Sequence, residues 1–233
     1  MSDNETSEQW CFIWDPTDDP KAGTSKAALV KKNKWDKGAT INVAFLDGDP
    51  RVQQKIKDVV KAWTAPDTAN LKLVFINDAS KADVRISFKY KGSWSTIGTS
   101  CRSVPKNQPS MNYGWLTPAS TDAEVRRVVL HEFGHALGLI HEHQNPGTTI
   151  PWNKPNVYRD LGGPPNNWDK ATVDHNMFEA YAKNETNFTK VDPTSIMMYP
   201  IPASWVTDPK FVAKLNSNLS TTDKSFVHTQ YPK

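Results

Sequence analysis

Cysteine is scarce in this chain. Its 233 residues include two, Cys11 and Cys101, which excludes a small fold stapled by several disulfides. An excess of charge of one sign is also nearly absent. The formal net charge is +3, and the lysines and arginines are dispersed, which argues against a nucleic-acid surface. Long apolar runs are missing too, and none reaches the roughly 20 residues that a membrane-spanning helix needs. The opening "MSDNETSEQW" is polar and acidic. It lacks the basic start and apolar run of a signal peptide. What remains is an ordinary globular composition, with 37% hydrophobic and 23% charged residues, enough for a real core at this length. A monomer is expected.

Residues 1–38 show no clear period, and "DPTDDPKAGTSK" is loop-rich, so this segment reads as an N-terminal arm. "TINVAFLDG" alternates Ile41, Val43 and Phe45 on one face, a strand signal. Asp49 as cap and Pro50 in the first turn open a helix with Val52, Ile56, Val59, Val60 and Trp63 inward. "LKLVFI" (71–76) and "DVRISF" (83–88) predict two further strands. "SWSTIGTSC" reads as loop, and "SMNYGWL" (110–116) as a short strand. Thr121 with Glu124 predicts a capping box for the next helix, which ends at Gly138. The segment after it, rich in Pro, Asn and Gly, reads as irregular. Two helices are expected within it, one through "ATVDHNMFEAYAK" with Val173, Met177, Phe178 and Tyr181 inward, the other from Ser220 with Asp223 completing its cap.

"HEFGHALGLIHEH" (131–143) concentrates the chemistry. His131 and His135 are four apart on the predicted helix, so both imidazoles share one face. Two such rings can hold one zinc ion, and a water in an open position beside them is acidified from pKa 15.7 to roughly 7. Glu132 points off the ligand face, where it can serve that water as general base. His141 lies too far along to share the face of a continuing helix. Gly138 resolves this, because without a Cβ it can turn the chain through positive φ and bring His141 back as third ligand. The pattern is then H-E-x-x-H-x-x-G-x-x-H, with His131, His135 and His141 on the metal. His143 has the wrong spacing and is left out of the ligand set.

This stretch resembles the zinc motif of the metzincin metalloendopeptidases. Downstream, "SIMMYP" (195–200) resembles their methionine turn. The S-x-M-x-Y pattern of astacins fits Ser195, Met197 and Tyr199. It implies Met197 under the metal and Tyr199 as a switchable ligand that stabilises the oxyanion. A matrixin-like register, with Met198 as the turn residue and Tyr199 away from the metal, is the alternative. Glu142 after the third histidine is also astacin-like, and in that family it meets the mature N-terminus. "GGPPNNWDKATVDHNMF…SIMMYPIP" looks like the microbial astacin-like metalloproteases. The likeness departs in its few cysteines, in "HQNP" after Glu142, and in Met198 where a histidine is usual. Glycine-rich calcium repeats of the serralysin kind are missing, and the sequence does not speak to bound calcium.

The resemblance implies an α+β fold, with a catalytic domain over residues 39–233. Its N-terminal lobe (39–138) would hold a twisted, mostly parallel sheet and two long helices. A small irregular C-terminal lobe with helices (139–233) would follow. It implies one catalytic Zn2+, protein or peptide substrates and a secreted protein, although this start carries no signal peptide. Substrate would add a strand to the sheet edge, for which "SMNYGWL" is the candidate, with Asn112, Tyr113, Gly114 and Trp115 contributing. Three fates stay open for the cysteines: a Cys11–Cys101 bridge, two idle thiols, or a latency switch in which the Cys11 thiolate takes the open zinc position.

Overall fold

The computed structural model describes residues 11–13, 29–147, 149–164, 166–179, 186–187 and 189–233. Strands β1 (Cys11–Ile13) and β2 (Leu29–Val30) precede β3 (Thr40–Phe45). Helix α1 (Pro50–Val59) follows, then β4 (Lys72–Phe75), β5 (Val84–Ser87), β6 (Ser93–Ser95) and β7 (Met111–Tyr113). Helix α2 (Asp122–Ala136) leads to α3 (Lys154–Gly162), α4 (Lys170–Val173), β8 (Thr186–Asn187) and α5 (Thr221–Gln230). The fold is α+β. Its main sheet runs β1-β6-β7-β5-β3-β4, and β2 pairs with β8 separately. Every neighbour in the main sheet is parallel except β6 and β7.

Local chemistry sets the helix starts. The Asp49 carboxylate accepts from Arg51 N, and Pro50 fills the first turn of α1. Beyond Val59 the backbone tightens into a 3-10 turn, Val60–Thr64, which still brings Val60 and Trp63 into the core. The Trp63 indole donates to Leu130 O at 3.0 Å, tying this turn to α2. Burying a side chain of that size stabilises the fold by about 1.5–3 kcal/mol. At α2 the Thr121 hydroxyl accepts from Glu124 N at 3.2 Å. The reciprocal half of the expected capping box is not made: Glu124 Oε1 is buried with no hydrogen-bond partner among the described residues. At α5 both halves form between Ser220 and Asp223.

Several expectations are corrected. "SWSTIGTSC" contains a strand, β6, that three residues of S-W-S could not signal by period. Helix α3 lies in the stretch read as irregular. Its Val157 and Leu161 are buried, but the surrounding Pro, Asn and Gly obscured that spacing. The helix expected through "ATVDHNMFEAYAK" is α4 followed by a π-helical turn, Asp174–Phe178. Val173 and Met177 point inward as expected, and Tyr181 lies outside the described residues.

The largest correction concerns the substrate edge. β7 is an interior strand, paired to β5 through Met111 and Asn112 and to β6 through Met111–Tyr113. Asn112 is buried, and its Nδ2 donates to Tyr90 O at 2.9 Å and Gly92 O at 2.6 Å. Tyr113 is buried in the core, Trp115 packs partly buried behind it, and a Cβ on Gly114 would stand 2.2 Å from Tyr90 O. Asn112 is thus paired on both sides and Gly114 N donates to Gly92 O at 2.9 Å, so β7 is not a free edge. β6 lies outside β7, and β1 pairs parallel along it, Cys11 opposite Ser93 and Ile13 opposite Ser95.

Two apolar clusters result. One joins the sheet to α1 and α2 and includes Trp35, Trp63, Phe133 and Met197. The other gathers Val157, Leu161, Met177, Met198, Tyr199 and Trp205. Trp35, within the segment read as arm, is buried, and its indole donates to Ala136 O at 2.8 Å.

Candidate metal centre

The last two turns of α2 carry His131 and His135, both buried, with ring centroids 4.8 Å apart. Leu137 caps the helix, and Gly138 follows at φ 99°. Gly138 N donates to His135 O at 2.8 Å and Leu139 N to Gly134 O at 2.9 Å, the paired bonds of a Schellman turn. A side chain at that φ would be strained, so the reversal depends on glycine. Two outside groups hold the turn as well. Tyr231 Oη donates to Leu137 O at 2.6 Å, next to the carbonyl held by Trp35.

The reversed chain delivers His141. Its ring centroid lies 4.7 Å from His135 and 5.2 Å from His131. One ligand nitrogen from each of His131, His135 and His141 falls within 4.8 Å of the others. His135 Nε2 and His141 Nε2 are 3.2 Å apart. Two tetrahedral zinc ligands at 2.0–2.1 Å stand about 3.3 Å apart, so this spacing suits an ion between them.

Tautomers can be read from the partners. His131 Nδ1 meets Ile196 O and His135 Nδ1 meets Leu139 O, each at 2.8 Å. A carbonyl only accepts, so both Nδ1 atoms carry hydrogen and both Nε2 atoms present lone pairs. His131 Nε2 is buried with no hydrogen-bond partner among the described residues. Burial holds His131 and His141 well below the ordinary imidazole pKa, and pushes His135 down to about 4. Three buried rings, at least two of them with an Nε2 lone pair turned toward a common point, form a donor set that fits a zinc ion. Glu132, between the first two ligands in sequence, is fully buried on the same helix.

The 195–199 segment lies beneath. Ser195 Oγ donates to Asp223 Oδ1 at 2.6 Å, and Ile196 N donates to Asp223 Oδ2 at 2.8 Å. Ile196 O then receives the His131 ring. Asp223, first recognisable only as the cap of α5, thus anchors the strap that orients a ligand. Sequence offered the capping pattern but no sign of this second partner. Met197 packs against Gly134, and Met198 faces the other cluster. Tyr199 is buried with its ring centroid 4.1 Å from that of His141.

Glu142 locks the third ligand to the same strap. Its N–H donates to Met197 O at 2.9 Å, and its carboxylate accepts from Asn145 Nδ2 and Asp192 N. Burial pushes its pKa up to about 7, against those two hydrogen bonds. His143 is not among the three histidines whose ligand atoms converge. Cys101 is a buried free thiol, raised to about 12 chiefly by burial. The side chain of Cys11 lies outside the described residues.

Residues 28–206 match the family model of the astacin peptidases. The chain belongs to the astacin family of zinc metallopeptidases. Among solved structures, this astacin is similar to myroilysin, at 41% identity over 88% of this chain and 98% of that one, with a TM-score of 0.84. A hatching-enzyme zinc-protease from Oryzias latipes, high choriolytic enzyme 1, shares the fold at 17% identity over 86% of this chain and 94% of that one, with a TM-score of 0.59. Zinc metalloproteinase nas-24 of Caenorhabditis elegans is 27% identical over 69% of this chain and 39% of its own length. The chain therefore spans about two fifths of that curated relative.

Proposed function

We propose that this astacin is a secreted, monomeric endopeptidase that hydrolyses peptide bonds of proteins at one zinc ion held by His131, His135 and His141. The observation that carries this reading is the set of three buried imidazoles with at least two lone pairs turned toward a common point. Zinc bound there supplies Lewis acidity, which polarises a carbonyl and brings the pKa of water to roughly 7. Glu132 takes the proton of the attacking water on its carboxylate and passes it to the leaving amine nitrogen. The Tyr199 phenol donates a hydrogen bond to the oxygen that gains charge in the transition state. Met197 supports the ligand helix from below, and Gly138 supplies the reversal that returns His141. Substrate pairs with the outer side of β6, taking the place that β1 holds, in the cleft between an N-terminal lobe and a C-terminal lobe.

A specific observation favours a second reading, a latent form. β1 already occupies β6, in parallel register, so the arm of residues 1–38 competes for the edge that a substrate strand would use.

The deciding experiment is cleavage of casein or a labelled peptide, with and without a zinc chelator, beside Glu132→Ala. Activity lost to the chelator, restored by zinc and absent in the variant is expected. Full activity in Glu132→Ala that retains zinc overturns the mechanism.

A further inference from the structure

His143 belongs to the same motif but lies outside the group of three histidines that could hold a metal. It is nonetheless buried, 5% exposed, although its ring is polar. Its Nε2 contacts Asn176 O at 2.8 Å. The carbonyl accepts, so Nε2 carries the hydrogen and the ring plane is tethered to the π-helical turn. On that tether the ring lies nearly parallel to Tyr199, with centroids 4.7 Å apart and planes 24° from each other. Tyr199 also meets His141 at 4.1 Å and 45°. The edge of the stack is closed by Trp152, whose ring stands at 87° to His143 and 6.2 Å away. Trp152 in turn packs on Phe178 at 5.7 Å.

We propose that His143 is a positioning residue for Tyr199. Its imidazole, fixed by Asn176 O, forms one wall of the slot that sets the direction of the phenol, and the ligand His141 forms another. The inference rests on the reading of Tyr199 as the oxyanion-facing phenol. A stacked wall removes ring rotamers that the phenol would otherwise sample, and a misplacement of about 1 Å at a reacting centre can cost about 100-fold in rate. An aliphatic side chain in place of His143 fills the volume but offers no flat face.

The test combines His143→Ala, His143→Phe, Tyr199→Phe and the double variant His143→Ala with Tyr199→Phe, each holding one zinc by metal analysis. His143→Ala is expected to lower kcat about 10- to 100-fold with KM within about threefold, and the double variant to be no slower than Tyr199→Phe alone. His143→Phe, which keeps the planar face, is expected to recover most of kcat. Protein labelled with 3-fluorotyrosine supplies a readout apart from activity. The fluorine resonance that disappears in Tyr199→Phe should shift or broaden in His143→Ala and stay near its native position in His143→Phe. If His143→Ala does not fold, His143→Leu takes its place. An unmoved resonance, a change in KM alone, or fully additive losses in the double variant overturns the inference. Native kcat in Tyr199→Phe sinks the catalytic reading of Tyr199 instead, and the fluorine resonance then decides the slot by itself.

Discussion

Met197 lies against the one position of the ligand helix that has no side chain: a Cβ built on Gly134 would stand 2.3 Å from Met197 Sδ and 3.3 Å from the Trp63 ring. Gly134 sits between the two ligands of α2, where glycine costs about 1 kcal/mol of helix propensity relative to alanine. The close approach of the thioether explains that choice. Gly134→Ala should therefore destabilise the protein despite the propensity gain, by about 1–3 kcal/mol from overpacking, and weaken zinc retention. Urea unfolding with a parallel zinc assay checks this. A more stable variant with unchanged zinc would contradict the contact.

Asp223 joins two jobs that sequence shows as one. It caps α5 and accepts from Ser195 Oγ and Ile196 N under His131. Asp223→Ala should cost about 2–4 kcal/mol, from a lost cap and buried donors left without an acceptor. Zinc affinity should fall about 10- to 100-fold, as is usual when the group behind a ligand is removed. Competition with a fluorescent chelator measures it. A loss of stability with native zinc affinity would confine Asp223 to capping.

Glu142 makes stability depend on pH. Burial raises its carboxyl to about 7 from the ordinary value of 4.5. The folded state then holds a proton that the unfolded state has released, across the window between those values. Its contribution is fully present below pH 4.5 and is lost as pH rises through about 7, a change of about 3 kcal/mol at most. Glu142→Gln should remove this component. Urea midpoints of both proteins from about pH 5 to 8 test the sign: the native protein should lose stability relative to the variant as pH rises.

The β1–β6 ladder predicts competition at the edge strand. A chain beginning at residue 29 should show a lower KM for peptide substrates than the full chain, with kcat changed less. Steady-state kinetics of the two forms decide it. Equal KM values would show that the arm does not occupy the substrate's place.

The ligand motif was legible because its spacing is set within one helix and one turn. His131 and His135 share a face by the helical period, and Gly138 marks the reversal by its freedom at φ 99°. Helices α1, α2 and α5 were legible through their caps and apolar periods, for the same local reason. Strand β6 was not, since three residues carry no period, and the edge was misplaced on β7 because strand order is a long-range property. Asp223 under the ligand strap and His143 beside Tyr199 were hidden likewise. Asp223 reaches Ile196 across 27 positions and His143 reaches Asn176 across 33, and no local pattern records such pairings. Sequence by itself determined the candidate metal donors, the reversal and the main helices, since those depend on neighbours a few residues away. Only the tertiary structure decided which strand lies at the edge, what orients His131, and what the fourth histidine touches, because packing brings those partners together from distant parts of the chain.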